Sequence, residues 1–303
     1  MRILPLDRLF RPATSHVYPP FKQGRYLEEF VYQYVLENHP RIESTWVYLP
    51  VFWTNLQNHP AFSQQRARYQ WLLDRMVRSL PSDTQFVTVV QHDDGPMLDL
   101  PPGTVVYGCC TGHRPLPLIY EDTSLRLLRA PRLEKEWLMS FVGTTGTHPL
   151  RTRLRQAVEG RDGVVWSSRE VWSASVAESD ASQFVSVTSR SRFCLAPRGY
   201  GRSSFRFFEA MWLDTVPVYV WDDVEWLPYK GVLDYSSFSV SVHVSEVDGL
   251  YDRLRGISEE AYQAMVEEGK RVRSWFTLEG MTEWLEREWV AHRPDVVVLS
   301  PSA

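Results

Sequence analysis

Cysteine is scarce, with three in 303 residues. Cys109 and Cys110 are adjacent and Cys194 stands alone. Three thiols build no disulfide framework, and no four cysteines and histidines fall at zinc-finger spacing. All three read as structural thiols. An excess of either charge is also missing: 33 Lys and Arg face 37 Asp and Glu, a formal charge of -4. That is not the basic balance of a nucleic-acid binder, so no nucleic-acid partner is expected. No apolar run approaches the roughly 18 residues that a membrane helix needs. The first apolar stretch is broken by Asp7, Arg8 and Arg11, which excludes a signal peptide. The expectation is a soluble, cytoplasmic chain, with a truncated Golgi or secretory protein as the alternative. Internal repeats, heptads and low-complexity tracts are absent.

What is present is apolar and aromatic: 44% hydrophobic residues and 13% Phe, Trp and Tyr. Such a chain is not disordered, and its length suits two domains. In the first half, helical periodicity runs over 26–37 and 61–80. Strand signals cover 45–51, 86–91, 103–108 and 116–120. A second series begins near residue 135. Strands are expected at 137–142, 164–167, 193–196, 216–221 and 238–244. Helices are expected at 150–159, 180–188, 204–213, 247–254 and, as one charged stretch, 259–290. This alternation predicts an α/β protein of two Rossmann-like domains facing across a cleft. The division is 1–135 for an acceptor-binding domain and 136–275 for a nucleotide-sugar-binding domain. The remainder, 276–303, is a helical segment and tail that packs back on the first domain.

Chemistry concentrates in SRFCLAPRGYGRSSFRFFEAMWLDTVPVYVW, residues 191–221. A strand ends at Ala196, and Pro197, Gly199 and Gly201 shape the turn that follows. Ser203 or Ser204 caps the next helix. A helix N-terminus just past a parallel strand favours phosphate. Arg198, Arg202 and Arg206 crowd the same place. A regular first turn puts Arg202, Arg206 and Glu209 on one face, with Arg206 on a diphosphate and Glu209 on ribose hydroxyls. The same residues also fit a plain ion pair on the helix surface, with glycines that only shape a turn.

This segment resembles the exostosin-like glycosyltransferases, the family of the heparan-sulfate polymerases and the plant cell-wall xylan, xyloglucan and pectin transferases. The pieces that carry the resemblance are SRFCLAPRGYG, SSFRFFEAMWLDTVPVYVWDD and LPYKGVLDYSSFSVSV. Weaker ones lie earlier: YLEEFVYQYVLE, WVYLPVFW, FVTVVQHDDG and WLMSFVGTTGTHPLRTRL. Asp214 stands where the family commonly has glycine, and Tyr235 where it has tryptophan. The resemblance implies a GT-B glycosyltransferase fold, a UDP-sugar donor, a glycan acceptor and transfer with inversion. It also implies that Arg206 meets the donor diphosphate, that Glu209 meets the ribose, and that Gly199, Gly201 and Ser203 shape the phosphate loop. UDP-xylose, UDP-glucuronate and UDP-galactose are the donors that relatives use. A uronate wants a basic partner such as Arg114, Arg198 or Arg202, and xylose, which needs none, is the expectation. A non-catalytic module for a phosphorylated or sulfated glycan, and a retaining transferase, are the alternatives.

Inverting transfer needs a base for the acceptor hydroxyl. Asp93, in His92-Asp93-Asp94-Gly95, matches the family's acid, Asp94 is its neighbour, and His16 in an early proline-rich loop is the third candidate. Asp93 and Asp94 also fit a simple turn before Gly95. Thr144, Thr145 and His148, in the TTGTHP loop, face the same cleft, whereas Arg151 and Arg153 fit helix-surface charges. Adjacent carboxylates at Asp93-Asp94 and Asp222-Asp223 make poor metal sites, so neither a metal nor another cofactor is expected. Trp46, Trp53, Trp221 and Trp226 are candidates for stacking on sugar rings.

Overall fold

The structure, a computed structural model, describes residues 1–13, 24–173 and 177–291. His16 lies outside them. The first half holds a five-stranded, all-parallel sheet in the order β1-β2-β3-β4-β5. Its strands are β1 (Arg2–Ile3), β2 (Val47–Tyr48), β3 (Phe86–Val90), β4 (Val105–Gly108) and β5 (Arg114–Pro115). Between them come α1 (Leu27–Asn38), α2 (Trp53–Gln57) and α3 (Phe62–Val77). Every residue of β3 is buried, as a parallel strand covered on both faces requires. Val87, Val89 and Tyr107 pack toward Leu27, Val31 and Val35 of α1. Phe86, Val90 and Val106 pack toward Phe62, Tyr69 and Leu73 of α3.

The second half holds another all-parallel sheet, in the order β10-β9-β8-β6-β7. In chain order its elements are β6 (Trp137–Thr144), α4 (Pro149–Val158), β7 (Val164–Arg169), α5 (Glu178–Ser189), β8 (Ser191–Pro197) and α6 (Phe205–Trp212). There follow β9 (Val216–Trp221), β10 (Val240–His243), α7 (Leu250–Arg255), α8 (Glu259–Val272) and α9 (Leu278–Ala291). Helices α4, α7 and α8 cover one face, and α5 and α6 the other. From β6, the chain steps first to β7 at the edge and then back to β8 on the other side. The carboxyl ends of β6 and β8 therefore flank a switch point, where open α/β sheets hold ligands.

Several boundaries differ from the sequence pattern. The 45–51 strand shrinks to two paired residues because Pro50 has no amide, and Val51 turns back onto the Leu49 carbonyl at 3.0 Å. The 116–120 strand is instead β5, since Pro115 and Pro117 stop the ladder after one bond from Leu116 to Gly108. The 247–254 helix divides into a 3-10 segment, Val244–Gly249, and α7. The 259–290 helix breaks at a 3-10 turn, Arg273–Phe276, and Thr277 restarts it by accepting from the Gly280 amide at 3.0 Å. Strand β1 and helix α2 carry no pattern long enough to announce them.

Helix α9 lies against the first sheet: Trp289 meets Tyr48 and Tyr107, and Trp284 meets Tyr107. The same apolar cluster includes Phe207, Phe208 and Met211 of α6, so the two sheets share a core. Trp226 adds a polar tie, its indole donating to the Gly108 carbonyl at 3.2 Å. Trp46, Trp53 and Trp226 are buried and Trp221 is half-buried. The first three are core residues and offer no face to a sugar. Asp214 has φ 50, in the left-handed region just after α6, which explains why glycine suits the position.

Lys135 joins helix ends. Its buried amine donates to the carbonyls of Ser189 (2.9 Å) and Leu213 (3.3 Å) and to the Thr215 hydroxyl (2.9 Å). Burial pulls its pKa down to about 8. Lys135→Ala orphans these acceptors and should cost about 1–3 kcal/mol by urea denaturation. Because the unfolded amine holds its proton to higher pH, the parent gains stability from this group as pH rises from about 8 toward 10. The difference between parent and variant should widen over that range. A midpoint equal to the parent's at both ends would count against the assignment.

Candidate active site

A cleft of about 420 Å³ opens at the switch point. Its wall includes Gly143 and Thr144 at the end of β6, Ser167 to Arg169 of β7, and Gln183 and Phe184 of α5. The turn after β8 supplies Gly199, Tyr200, Gly201 and Ser203, and α6 supplies Arg206 and Glu209. Asp93, Leu118 and Arg126 reach in from the first half. The volume lies within the roughly 300–1,000 Å³ of small-molecule sites.

Glu209 is 3% exposed on a helix whose other buried residues are all apolar. A carboxylate so placed needs partners. Arg206 Nη1 donates to its Oε2, and the Tyr120 hydroxyl donates to its Oε1 at 2.6 Å. Burial works against the Arg206 charge, but Glu209 outweighs it and raises the Arg206 pKa. Arg206 also donates from Nε to the Val142 carbonyl at 3.0 Å and lies 3.9 Å from the Phe184 ring centroid. Burial, then Glu209, pushes the Tyr120 hydroxyl well up and keeps it a donor. Arg126 bonds to the Tyr120 oxygen at 3.3 Å and stands 3.9 Å from Glu209.

The other two arginines face elsewhere. Arg202 precedes α6 rather than sharing its face, because the helix begins at Phe205. It pairs with Asp223 at 2.7 Å, and Arg198 bonds both Asp222 and Asp223 at 2.8 Å. The acidic pair is thus a counter-charge to the turn. Ser204 occupies the N-cap position, yet its side chain makes no capping bond.

Arg151 is not a helix-surface charge. It donates to the carbonyls of Thr144 (2.7 Å), Arg198 (2.8 Å) and Pro197 (3.0 Å), holding the ends of β6 and β8 together. Arg153 is exposed and paired with Asp248. Thr144 lines the cleft, whereas Thr145 is buried beside it. His148 accepts the Leu150 amide at 3.3 Å as the cap of α4 and sits 3.6 Å from Asp222. Burial and then Arg198 lower its pKa, which suits a neutral ring accepting a bond.

Asp93 is an exposed residue at the cleft, but one oxygen of its carboxyl lies against the Gly201 turn, and the loss of water there moves its pKa up from the ordinary value. Asp94 is exposed and outside the cleft wall, its amide bonded to His92 Nδ1 at 3.2 Å. Among the described residues no group of three or more His, Cys, Asp or Glu is arranged to hold a metal ion. No described helix is long and apolar enough to cross a membrane.

The geometry defines an α/β protein with an anion-compatible cleft between two parallel sheets. Residues 114–257 match the Exostosin GT47 domain. Similar proteins from Arabidopsis thaliana include a probable glycosyltransferase, 36% identical over 94 residues, covering 31% of this chain and 20% of that protein. A probable arabinosyltransferase is 31% identical over 114 residues, 36% of this chain and 25% of that one. The matched stretches span between 16% and 25% of the length of these curated relatives. Among solved structures, WaaG, a glycosyltransferase involved in lipopolysaccharide biosynthesis, aligns over 86% of this chain and 82% of its own at 11% identity and TM-score 0.36. TarM aligns over 88% and 58% at 8% identity and TM-score 0.39. At these scores neither bears on the argument.

Sequence reasoning missed Tyr120, Arg126 and Cys110. Tyr120 ends a stretch that reads as a strand and Arg126 lies in a connection without periodicity, and nothing local pairs either with Glu209. At Gly201 a Cβ would run into Asp93 Oδ1 and Cys110 Sγ. Gly201→Ala should therefore force the turn off the first half and cost about 1–3 kcal/mol. Urea denaturation checks this, and an unchanged midpoint would mean that the two segments do not touch.

Proposed function

We propose that the chain is a metal-independent glycosyltransferase that moves a sugar from a UDP-sugar to a glycan hydroxyl with inversion. The observation that carries this is the Arg206–Glu209 pair in a cleft at the switch point, within the segment that matches the exostosin domain. Two parallel sheets flanked by helices are consistent with a GT-B architecture. In this reading residues 1–135 bind acceptor, 136–275 bind donor, and α9 returns to the first domain, with 292–303 outside the described residues. Diphosphate oxygens meet the mouth of α6, the Gly199, Gly201 and Ser203 turn and Arg206, near Thr144 and Thr145. Glu209 receives ribose hydroxyls through the lone pairs that Arg206 and Tyr120 leave. Arg198 and Arg202 shape the turn through Asp222 and Asp223, and their engagement supports a neutral sugar such as xylose over a uronate.

In the reaction, an acceptor oxygen forms the bond to the anomeric carbon as the bond to the diphosphate oxygen breaks. Asp93 takes the acceptor proton, and UDP leaves with the electron pair. The raised Asp93 pKa suits a base, while Asp94 and His16 stand behind it as candidates.

Calorimetry should give a UDP affinity in the tens of micromolar, about -6 kcal/mol. Arg206→Ala should weaken it more than Glu209→Gln, which should cost about 1–2 kcal/mol. Absence of binding by any nucleoside diphosphate would refute the transferase reading and leave a glycan-binding module. Asp93→Asn should slow transfer roughly 10²–10⁴-fold with UDP affinity nearly unchanged. Less than a tenfold loss there, beside a sensitive Asp94→Asn, would move the base by one residue. The anomeric configuration of the product separates inversion from retention.

A further inference from the structure

We propose that Cys110 is a positioning residue whose thiol holds Asp93 against the Gly201 turn, fixing the carboxylate toward the cleft. This rests on the reading of Asp93 as the base. Strand β4 ends at Gly108, and the chain then carries two cysteines whose side chains take different work. Cys109 donates from its amide to the Val90 carbonyl at 2.9 Å, and its sulfur reaches the Pro117 carbonyl at 3.3 Å. Cys110, 1% exposed, points toward the second half instead. Cys110 Sγ and Asp93 Oδ1 meet at the Gly201 turn, each overlapping the place where a Cβ on Gly201 would lie, and the thiol favours the ionised Asp93 carboxylate.

Gly201 is the independent gauge of this contact. Added at Gly201, a Cβ would lie 2.6 Å from Cys110 Cβ and would also overlap Cys110 Sγ and Asp93 Oδ1. Three segments thus meet at one point: the end of β4, the turn after β3, and the turn after β8. Burial raises the Cys110 thiol well above its usual pKa, so it stays protonated and remains a donor. A donor to the ionised carboxylate favours the form that accepts a proton. The other charged groups that face Asp93 are His92 and Asp94 from its own turn and Arg198 from the turn after β8.

The test compares Cys110→Ala, which removes the donor, with Cys110→Ser, which keeps one. UDP release would be followed from pH 5 to 8 with the best of UDP-xylose, UDP-glucuronate and UDP-galactose. In Cys110→Ala the acid limb should move up by about half a pH unit or more, with most of the rate regained at high pH. In Cys110→Ser the limb should stay or move down. An unmoved limb in Cys110→Ala, or a rate lowered equally at every pH, would overturn the proposal. If Cys110→Ala fails to fold, isotope-edited infrared titration of Asp93 in Cys110→Val, which fills the site without a donor, decides: a carboxyl titration moved up supports the contact, and an unaltered one refutes it. Asp93→Asn separates the two claims, because full activity there removes the base reading while the infrared titration still tests the contact.

Discussion

The cleft depends on one buried carboxylate. Glu209 sits among Phe207, Phe208, Ala210 and Met211, where an uncompensated charge is expensive. Its partners come from both halves: Arg206 from its own helix and Tyr120 from the connection that follows the first sheet. Satisfying the charge therefore fixes the connection against α6. Arg206 in turn spends a donor on the Val142 carbonyl, which registers α6 against β6. The geometry of the binding surface follows from meeting the bonding needs of a single group.

Arg151 imposes the second constraint. The pairing of β6 with β8 stops at Ser140 and Cys194, so the two strands part toward the switch point and leave carbonyls between them. Arg151 takes three of these, from Thr144, Pro197 and Arg198, with the planar fork that only a guanidinium supplies. Lysine could not span them in the same way. The helix that follows β6 thus serves the turn that follows β8. His148 links the same helix start to Asp222, which is itself held by Arg198.

The layers of the fold were legible because parallel strands buried on both faces leave continuous apolar runs, as in β3 and β9, and the helices between them keep a 3.6 period. Short elements were not, since two-residue strands such as β1 and β2 have no period to read. In the cleft, the turn 198–203 and the pair Arg206 and Glu209 were visible because they lie within one segment. Pairing across distance was invisible: Asp222 and Asp223 with Arg198 and Arg202, Tyr120 with Glu209, Cys110 with Asp93. Helical spacing suggested a shared face for Arg202 and Arg206, but spacing holds only inside a helix, and α6 starts three residues too late.

Charge pairing also distinguishes the carboxylates of the cleft. Glu209 faces Arg206 and Arg126, and Asp180 faces Arg169 at 3.3 Å. Protonating either carboxylate would break its ion pair with a guanidinium. Asp93 has no ion pair among the described residues. Its nearest anchors are a neutral thiol and a glycine turn, and desolvation raises its proton affinity further. Of the three acids, it is the one whose protonation leaves no arginine unpaired, and it is contributed by the half of the chain opposite the Arg206 helix. Taking up a proton there disturbs neither the α6 network nor the Arg151 tie.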